Sequence, residues 1–163
     1  MWKPLGIGRA GFGGMGSIGH VDQPWGHTAA GVPLGNGPAA DNPAVVGPAG
    51  RVHLPLADWA LFIGDQLRGA RGQAGLLTVA GYRHVQTAWP GSDQARGWVV
   101  VDGQPWAKGP ALWHNGSNTM HYAVVWLAPK ADFAILATAN CGDADPACDQ
   151  AVAGAIRAFI NLP

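Results

Sequence analysis

The stretch ALWHNGSNTMHYAVVWLAPKADFAILATAN, residues 111–140, decides the fold class. It holds three apolar runs of strand length, Ala111–Asn115, His121–Ala128 and Phe133–Asn140, which are separated by polar or proline-containing turns. The connection Pro129–Asp132 is too short for a crossover helix, so the second and third runs predict neighbouring antiparallel strands. An antiparallel sheet is therefore expected in this part of the chain.

Upstream of this stretch, the sequence predicts one more strand and one long helix. The run Gly97–Val101 leads into Asp102-Gly103, a pair typical of hairpin turns. The helix begins near Leu56, and Gly69 and Gly72 end it. Its predicted apolar stripe is Leu56, Trp59, Ala60, Phe62, Ile63 and Leu67, with Asp58, Asp65 and Arg68 away from that stripe.

Two further helical segments complete the expected fold. Leu76–Gln86 is predicted as a short helix or turn, and Asp145-Pro146 is typical of an N-cap followed by proline in the first turn. Helices packed on an antiparallel sheet define an α+β fold. The predicted buried stripe of the closing helix is Val152, Ile156, Phe159 and Ile160.

The chain length of 163 residues indicates a single domain, 1–163, in two parts. Residues 1–50 hold most of the excess among 25 Gly and 13 Pro, which predicts a Gly/Pro-rich coil ordered by packing. We expect Trp2, Phe12 and Trp25 to attach this coil to the remainder. Residues 51–163 carry the helices, the antiparallel sheet and the closing helix.

Charge and hydropathy exclude several classes of partner. Ten Lys and Arg balance ten Asp, so the basic excess typical of nucleic-acid and membrane-surface binders is missing. The longest clean apolar run, Ala123–Ala128, is far shorter than the ~20 residues of a membrane span. Met1–Gly6 lacks the layout of a secretion signal, so a cytoplasmic protein is the default expectation. Cys141 and Cys148 either close a small disulfide loop or stay free thiols.

An ordered set of short segments resembles the carboxyl half of the serine β-lactamase-related family, which includes class C β-lactamases, penicillin-binding proteins and esterases. The resemblance covers essentially the whole chain and implies a truncated β-lactamase-like sheet with packed helices. The segments that carry it are Lys3–Gly6, Asp22–His27, Gly47–Gly50, Leu56–Trp59 and Leu112–Gly116.

Two of the three catalytic motifs of that family are missing from this sequence. No Ser is followed by Lys three residues on, and neither Tyr82 nor Tyr122 is followed by Asn two residues on. Only the third motif has a counterpart, His114-Asn115-Gly116, with Asn where the family usually has Thr or Ser. The chain is expected to begin just after the second motif, so the family's acyl-enzyme route is not available to it alone.

Hydrolysis without an activated serine needs another nucleophile, and a divalent metal can lower the pKa of bound water from about 16 toward about 7. The most suggestive ligand cluster is His20-Val21-Asp22 with His27 downstream, because a His-x-Asp pair points two ligands to one side of an extended segment. Zinc suits these ligands best, with manganese or iron as alternatives. His53 and His114 complete the predicted ligand set.

Apart from His20, these residues also have a structural interpretation. The Asp22–His27 segment and His53 belong to the resemblance, so packing and hydrogen bonding explain them as well. His114 is either a metal ligand and catalytic group or a hydrogen-bond donor without a nucleophile to serve. Whether His121 faces the same way depends on the turn register. The resemblance places Trp113, Asn115 and Gly116 beside His114 as substrate-binding residues.

The favoured hypothesis is a small metal-dependent hydrolase of ester or phosphoester bonds, including phosphodiesters and phosphotriesters. The alternative is a catalytically inert or complementing carboxyl-terminal fragment of a serine β-lactamase or esterase, and a third hypothesis is a non-acylating β-lactam-binding module. A small-molecule substrate is expected in the first case. A homodimer or higher oligomer through an exposed sheet edge or face is expected, because uncovered apolar surface usually finds a partner.

Overall fold

The computed structural model describes residues 1–161 and has the predicted α+β fold class. In this range it contains four α-helices and two antiparallel sheets of two and four strands. In chain order the strands and α-helices are β1 (Gly11–Phe12), α1 (Gly47–Gly50), β2 (Val52–His53), α2 (Leu56–Ala70), α3 (Val79–Gln86), β3 (Val99–Val101), β4 (Ala111–Ser117), β5 (Tyr122–Ala128), β6 (Phe133–Ala139) and α4 (Asp145–Ile160).

The large sheet follows the chain in the order β3-β4-β5-β6, with every neighbouring pair antiparallel. The three strand runs of the opening stretch are confirmed as β4, β5 and β6. The predicted turn at Asp102-Gly103 is only the beginning of a longer connection over residues 102–110, which includes the 3-10 helix Pro105–Ala107. The connection is longer because Val101 pairs with Ala111 rather than with a residue just beyond the turn.

A helix packs on each face of this sheet. On one face, Ile63 and Leu67 of α2 join a buried cluster with Leu112, Val125 and Leu127 of the strands. On the other face, α4 packs against alternate residues of the same strands, because successive side chains of a strand point to opposite faces. The second cluster consists of Tyr122, Val124, Ile135, Cys148 and Val152.

Helix α2 has the predicted bounds, but its buried surface is wider than one apolar stripe. Leu56 is 48% exposed and Ala60 is exposed as well, whereas Asp58 and Asp65 are 8% and 1% exposed, so four predicted positions are wrong. Asp58 accepts a hydrogen bond from the backbone of Arg9 at 3.1 Å. The amino-terminal coil and α3 cover the sides of α2 that the sequence pattern assigns to solvent.

Helix α4 follows its prediction with two local differences. Its N-cap is Ala144, one residue before the predicted Asp145, and proline lies in the first turn as expected. Val152 is buried, and Phe159 stacks on Phe133 of β6 with ring centroids 3.6 Å apart. Ile160 is 53% exposed and does not belong to the buried stripe.

The first 50 residues carry little regular structure and lie on the surface of the protein. Trp2 packs on Phe12 with ring centroids 5.3 Å apart, but Phe12 remains 60% exposed. Trp25 is half-buried and donates its indole N–H to the His20 carbonyl within the same coil. Ile7 is the buried apolar side chain of this segment, so the predicted aromatic anchors act mainly within the coil.

Strand β6 forms one edge of the large sheet. The expectation of an uncovered face is wrong, because α2 and α4 both pack against β6. Association through the edge stays a prediction.

Cys141 and Cys148 are free thiols in the structure, and Cys148 is buried. No helix among residues 1–161 is long and apolar enough to cross a membrane.

The buried pair Asp65 and Tyr82 generates a stability prediction. The Tyr82 hydroxyl donates to Asp65 Oδ2 at 2.5 Å, and burial raises the pKa of Tyr82. Tyr82→Phe should lower the free energy of unfolding by about 1–3 kcal/mol, because it removes a donor from a buried carboxylate. Urea unfolding with an unchanged m-value would measure this loss.

The matched control for that variant is Tyr122→Phe. Tyr122 is also buried, but its partner is the amide of Asn115, which lies at the surface and can bond to water. The loss should therefore be smaller than for Tyr82→Phe. Equal losses would contradict the assigned role of the Asp65 carboxylate.

Candidate functional site

The second half of β4 is an open sheet edge. Strand β3 pairs with Ala111–Trp113 only, so His114–Ser117 pair with β5 on one side and with no strand of residues 1–161 on the other. Residues 114–117 are exposed. An edge strand offers unpaired backbone N–H and C=O groups to another extended chain or ligand. The site predicted from His114-Asn115-Gly116 therefore lies on an accessible edge.

Strand alternation divides the predicted substrate-binding residues between two faces. His114 lies on the α2 face, where its ring meets the edge of Trp98 at a centroid distance of 6.5 Å. Trp113 lies on the α4 face, with its ring 5.8 Å from that of Trp126. His114 and Trp113 cannot line one side of a groove, because neighbouring residues of a strand point in opposite directions.

Asn115 is held by a buried phenol on the α4 face. Its Nδ2 donates to the Tyr122 hydroxyl at 2.9 Å, and burial raises the pKa of Tyr122. This hydrogen bond orients the side-chain amide. Gly116 has free space where a Cβ would be, so the backbone of the edge is open there.

His27 attaches the amino-terminal coil to the end of the sheet. Its backbone N–H donates to the Asn140 carbonyl at 2.8 Å, and its Nδ1 lies 3.1 Å from both the carbonyl and the Nδ2 of Asn140. Asn140 Nδ2 also donates to the Trp25 carbonyl at 2.9 Å. These bonds indicate that His27 docks the coil. The role of Asn140 had no signal in the sequence, because it depends on a contact across 113 positions.

His121 lies beneath the same docked coil, rather than beside His114 on the exposed edge. A Cβ at Gly26 would collide with Met120 and with the His121 ring, so only glycine allows this close approach. The His121 Nε2 is buried and has no hydrogen-bond partner among residues 1–161. Burial lowers the pKa of His121; the Pro24 carbonyl and Asp41 oppose this shift, and His27 adds to it.

The remaining candidate ligands have local partners. Both carboxylate oxygens of Asp22 accept the backbone N–H of Ser17, at 3.0 and 3.1 Å. This bond is the main reason that the pKa of Asp22 is lowered, with a smaller contribution from His20. His53 Nδ1 lies 2.8 Å from the Gly13 carbonyl, where its strand pairs with β1. Asp22 and His53 thus hold the coil.

The predicted metal ligands do not form one group. No three His, Cys or Asp side chains in the described part of the chain come together in an arrangement that could hold a metal ion. His20 and Asp22 lie in one turn, and His27, His53 and His114 contact three different parts of the structure. The arrangement does not fit a metal centre, so we derive no chemical step through one.

Comparison with known proteins leaves the family resemblance as a prediction. No protein-family model and no curated protein matches the chain.

His121 generates a prediction about pH. The folded protein binds fewer protons than the unfolded chain below the ordinary histidine pKa of 6.5, because burial lowers the folded pKa. The free energy of unfolding should therefore fall as the pH is lowered through 6.5, until the folded pKa is passed. Urea unfolding between about pH 7.5 and about pH 5, a range that includes the ordinary histidine pKa, would measure this slope.

His121→Gln should flatten this pH dependence, whereas His84→Gln, at an exposed position of α3, should leave it unchanged. If the free energy of unfolding depended on pH in the same way for the wild type and for His121→Gln, the assignment of this dependence to His121 would be wrong.

The scattered ligands generate a prediction about metals. We expect purified protein to carry less than stoichiometric zinc, manganese or iron, and added zinc to leave the melting temperature unchanged, because a ligand stabilises a protein only where it binds the folded state preferentially. Elemental analysis and thermal scans with and without chelator would measure both. Stoichiometric zinc that is lost in both His20→Ala and His114→Ala would restore the metal-centre hypothesis.

Proposed function

We propose that this chain is the complementing, catalytically inert half of a serine β-lactamase- or esterase-like acyl-transfer site. The observation that carries the proposal is the open edge at His114–Ser117. The nucleophile and its base would come from a further segment, of this protein or of a partner, that contains Ser-x-x-Lys and Tyr-x-Asn. The favoured hypothesis of the sequence, a metal-dependent hydrolase, receives no support from the arrangement of its ligands.

The geometry of β4 suits a role in binding and polarising an acyl group. The strand pairs with β5 from Leu112 to Ser117, which fixes the edge before any ligand arrives. Backbone groups of the edge can bind the amide or ester of a substrate as an added strand. The exposed His114 imidazole offers an N–H donor to negative charge that develops on the substrate oxygen.

The surroundings of the serines support the proposal that this chain supplies no nucleophile. The Ser92 hydroxyl accepts the backbone N–H of Gln94 at 2.9 Å, and the Ser117 hydroxyl accepts that of Thr119 at the same distance. Such hydrogen bonds are typical of turns. An acylating serine needs a base within hydrogen-bond reach, and no Lys stands three residues after any of them.

Metal-dependent hydrolysis of esters or phosphoesters stays a prediction from the sequence. It requires His20, Asp22, His27, His53 and His114 to approach one another in some combination, and the metal analysis described above tests it.

The proposal predicts that the chain alone does not turn over nitrocefin or p-nitrophenyl butyrate and is not labelled by a fluorophosphonate. Mixing it with a separately produced amino-terminal half of a class C-related protein, which carries the two missing motifs, should produce nitrocefin hydrolysis. His114→Ala should lower this restored rate about tenfold or more, because it removes a donor to the developing charge. Steady-state absorbance measurements would give the rates.

His84→Ala is the matched control, since His84 is an exposed histidine of α3 and not of the β4 edge strand. It should leave the restored rate unchanged. Turnover by the chain alone that survives chelator, or a restored rate that His114→Ala does not lower, would contradict the proposal.

A further inference from the structure

A cavity of about 230 Å³ lies between α4 and the sheet face opposite His114. Its walls include Trp106 from the 3-10 helix of the β3–β4 connection, Trp113 from β4, and Trp126 from β5. Asp149 of α4 lies on the wall contributed by that helix. The cavity is separate from the exposed half-edge of β4, and the inference drawn from it does not depend on the proposed acyl-transfer role.

The three indole rings form the corner of an aromatic cage. Trp113 and Trp126 are a cross-strand pair with ring centroids 5.8 Å apart and planes tilted by 43°. Trp106 stands 6.1 Å from Trp126 at 68°, and its N–H donates to Gln104 Oε1 at 3.2 Å. The rings are inclined rather than stacked, so they leave indole surface free to line the cavity.

The electrostatics of the cavity favour a cation. Indole faces carry the negative end of the ring quadrupole, and Trp is the aromatic residue that attracts cations most strongly. Asp149 adds a carboxylate, and Asp145 stands one helical turn before it on α4. No Lys or Arg among residues 1–161 lines this cavity. Among the described residues, no positively charged side chain on the cavity wall offsets the negative charge of Asp149.

The size and polarity of the cavity select the kind of cation. Its volume of about 230 Å³ holds several times the ~30 Å³ of one liquid water but is smaller than a typical drug-sized pocket. The side chains of Val152 and Ile156 also line it. A methylated ammonium group matches such walls, because its methyl groups contact apolar and aromatic surface while its charge meets the rings and the carboxylate.

We propose that Trp106, Trp113, Trp126 and Asp149 form a binding site for a small quaternary ammonium ion of the choline type. The cross-strand pair supplies two fixed walls, Trp106 closes the corner, and Asp149 balances the charge. A neutral ligand of the same shape fills the same space without the cation–π and charge–charge attractions, so it binds more weakly.

Binding is tested on the full chain with choline chloride and its neutral isostere 3,3-dimethylbutanol. Isothermal titration calorimetry gives the dissociation constants, and indole N–H signals in ¹⁵N spectra, assigned with single Trp variants, report the site. Choline should bind with a millimolar or tighter Kd and about tenfold more tightly than the isostere. The shifted indole signals should be those of Trp106, Trp113 and Trp126.

Asp149→Asn removes the charge of an exposed side chain of α4 and keeps its size and shape. It should weaken the binding of the choline cation at least about threefold and leave the binding of the neutral isostere unchanged. Asp93→Asn, at an exposed Asp in the loop before β3, is the matched control and should bind choline as the wild type does. Trp106→Leu should weaken choline binding about tenfold. Equal affinity for choline and the isostere, an unchanged Asp149→Asn variant, or no binding of choline at millimolar concentrations would each overturn the proposal.

Discussion

The structure depends on the burial of β5 from both sides. Val124 and Leu127 are fully buried, and Val125 is almost so, although they point to opposite faces of the sheet. A strand that is apolar on both faces is stable only between two covering layers. Helices α2 and α4 are those layers, and the neighbouring strands β4 and β6 satisfy the backbone of β5 along its length. Everything else in the fold is arranged around this strand.

The coil of the first 50 residues depends on the ends of these strands rather than on a core of its own. Its docking uses backbone hydrogen bonds from His27 to Asn140, and a close approach at Gly26 that a side chain would prevent. Several of its apolar side chains remain exposed, including Phe12, Ile18 and Val21. Hydrogen bonds and glycine geometry therefore hold this segment, because it buries little apolar surface.

Because successive side chains of a strand point to opposite faces, the two candidate sites lie on different faces of the sheet. His114 projects to the α2 face and belongs to the open half of β4, whereas Trp113 projects to the α4 face and forms part of the tryptophan cage. Two chemically different surfaces thus arise from adjacent residues of one strand. The hydrogen bond from Asn115 to the buried Tyr122 hydroxyl links the exposed half of β4 to the α4 face.

The sequence alone determined the α+β class, the helices α2 and α4 and the strands β4, β5 and β6, because those segments have strong periodicity and clear turn residues between them. It also placed His114 and Asn115 on a strand, which in the structure continues through Gly116 to Ser117. The tertiary structure decided that Asp58 and Asp65 are buried, because the coil and α3 cover α2 from directions that a single helix pattern does not show. It likewise decided that no three of His20, Asp22, His27, His53 and His114 come together, and that three tryptophans meet beside Asp149. Local pattern reports which side of an element is apolar, whereas the proximity of distant residues depends on how the elements pack.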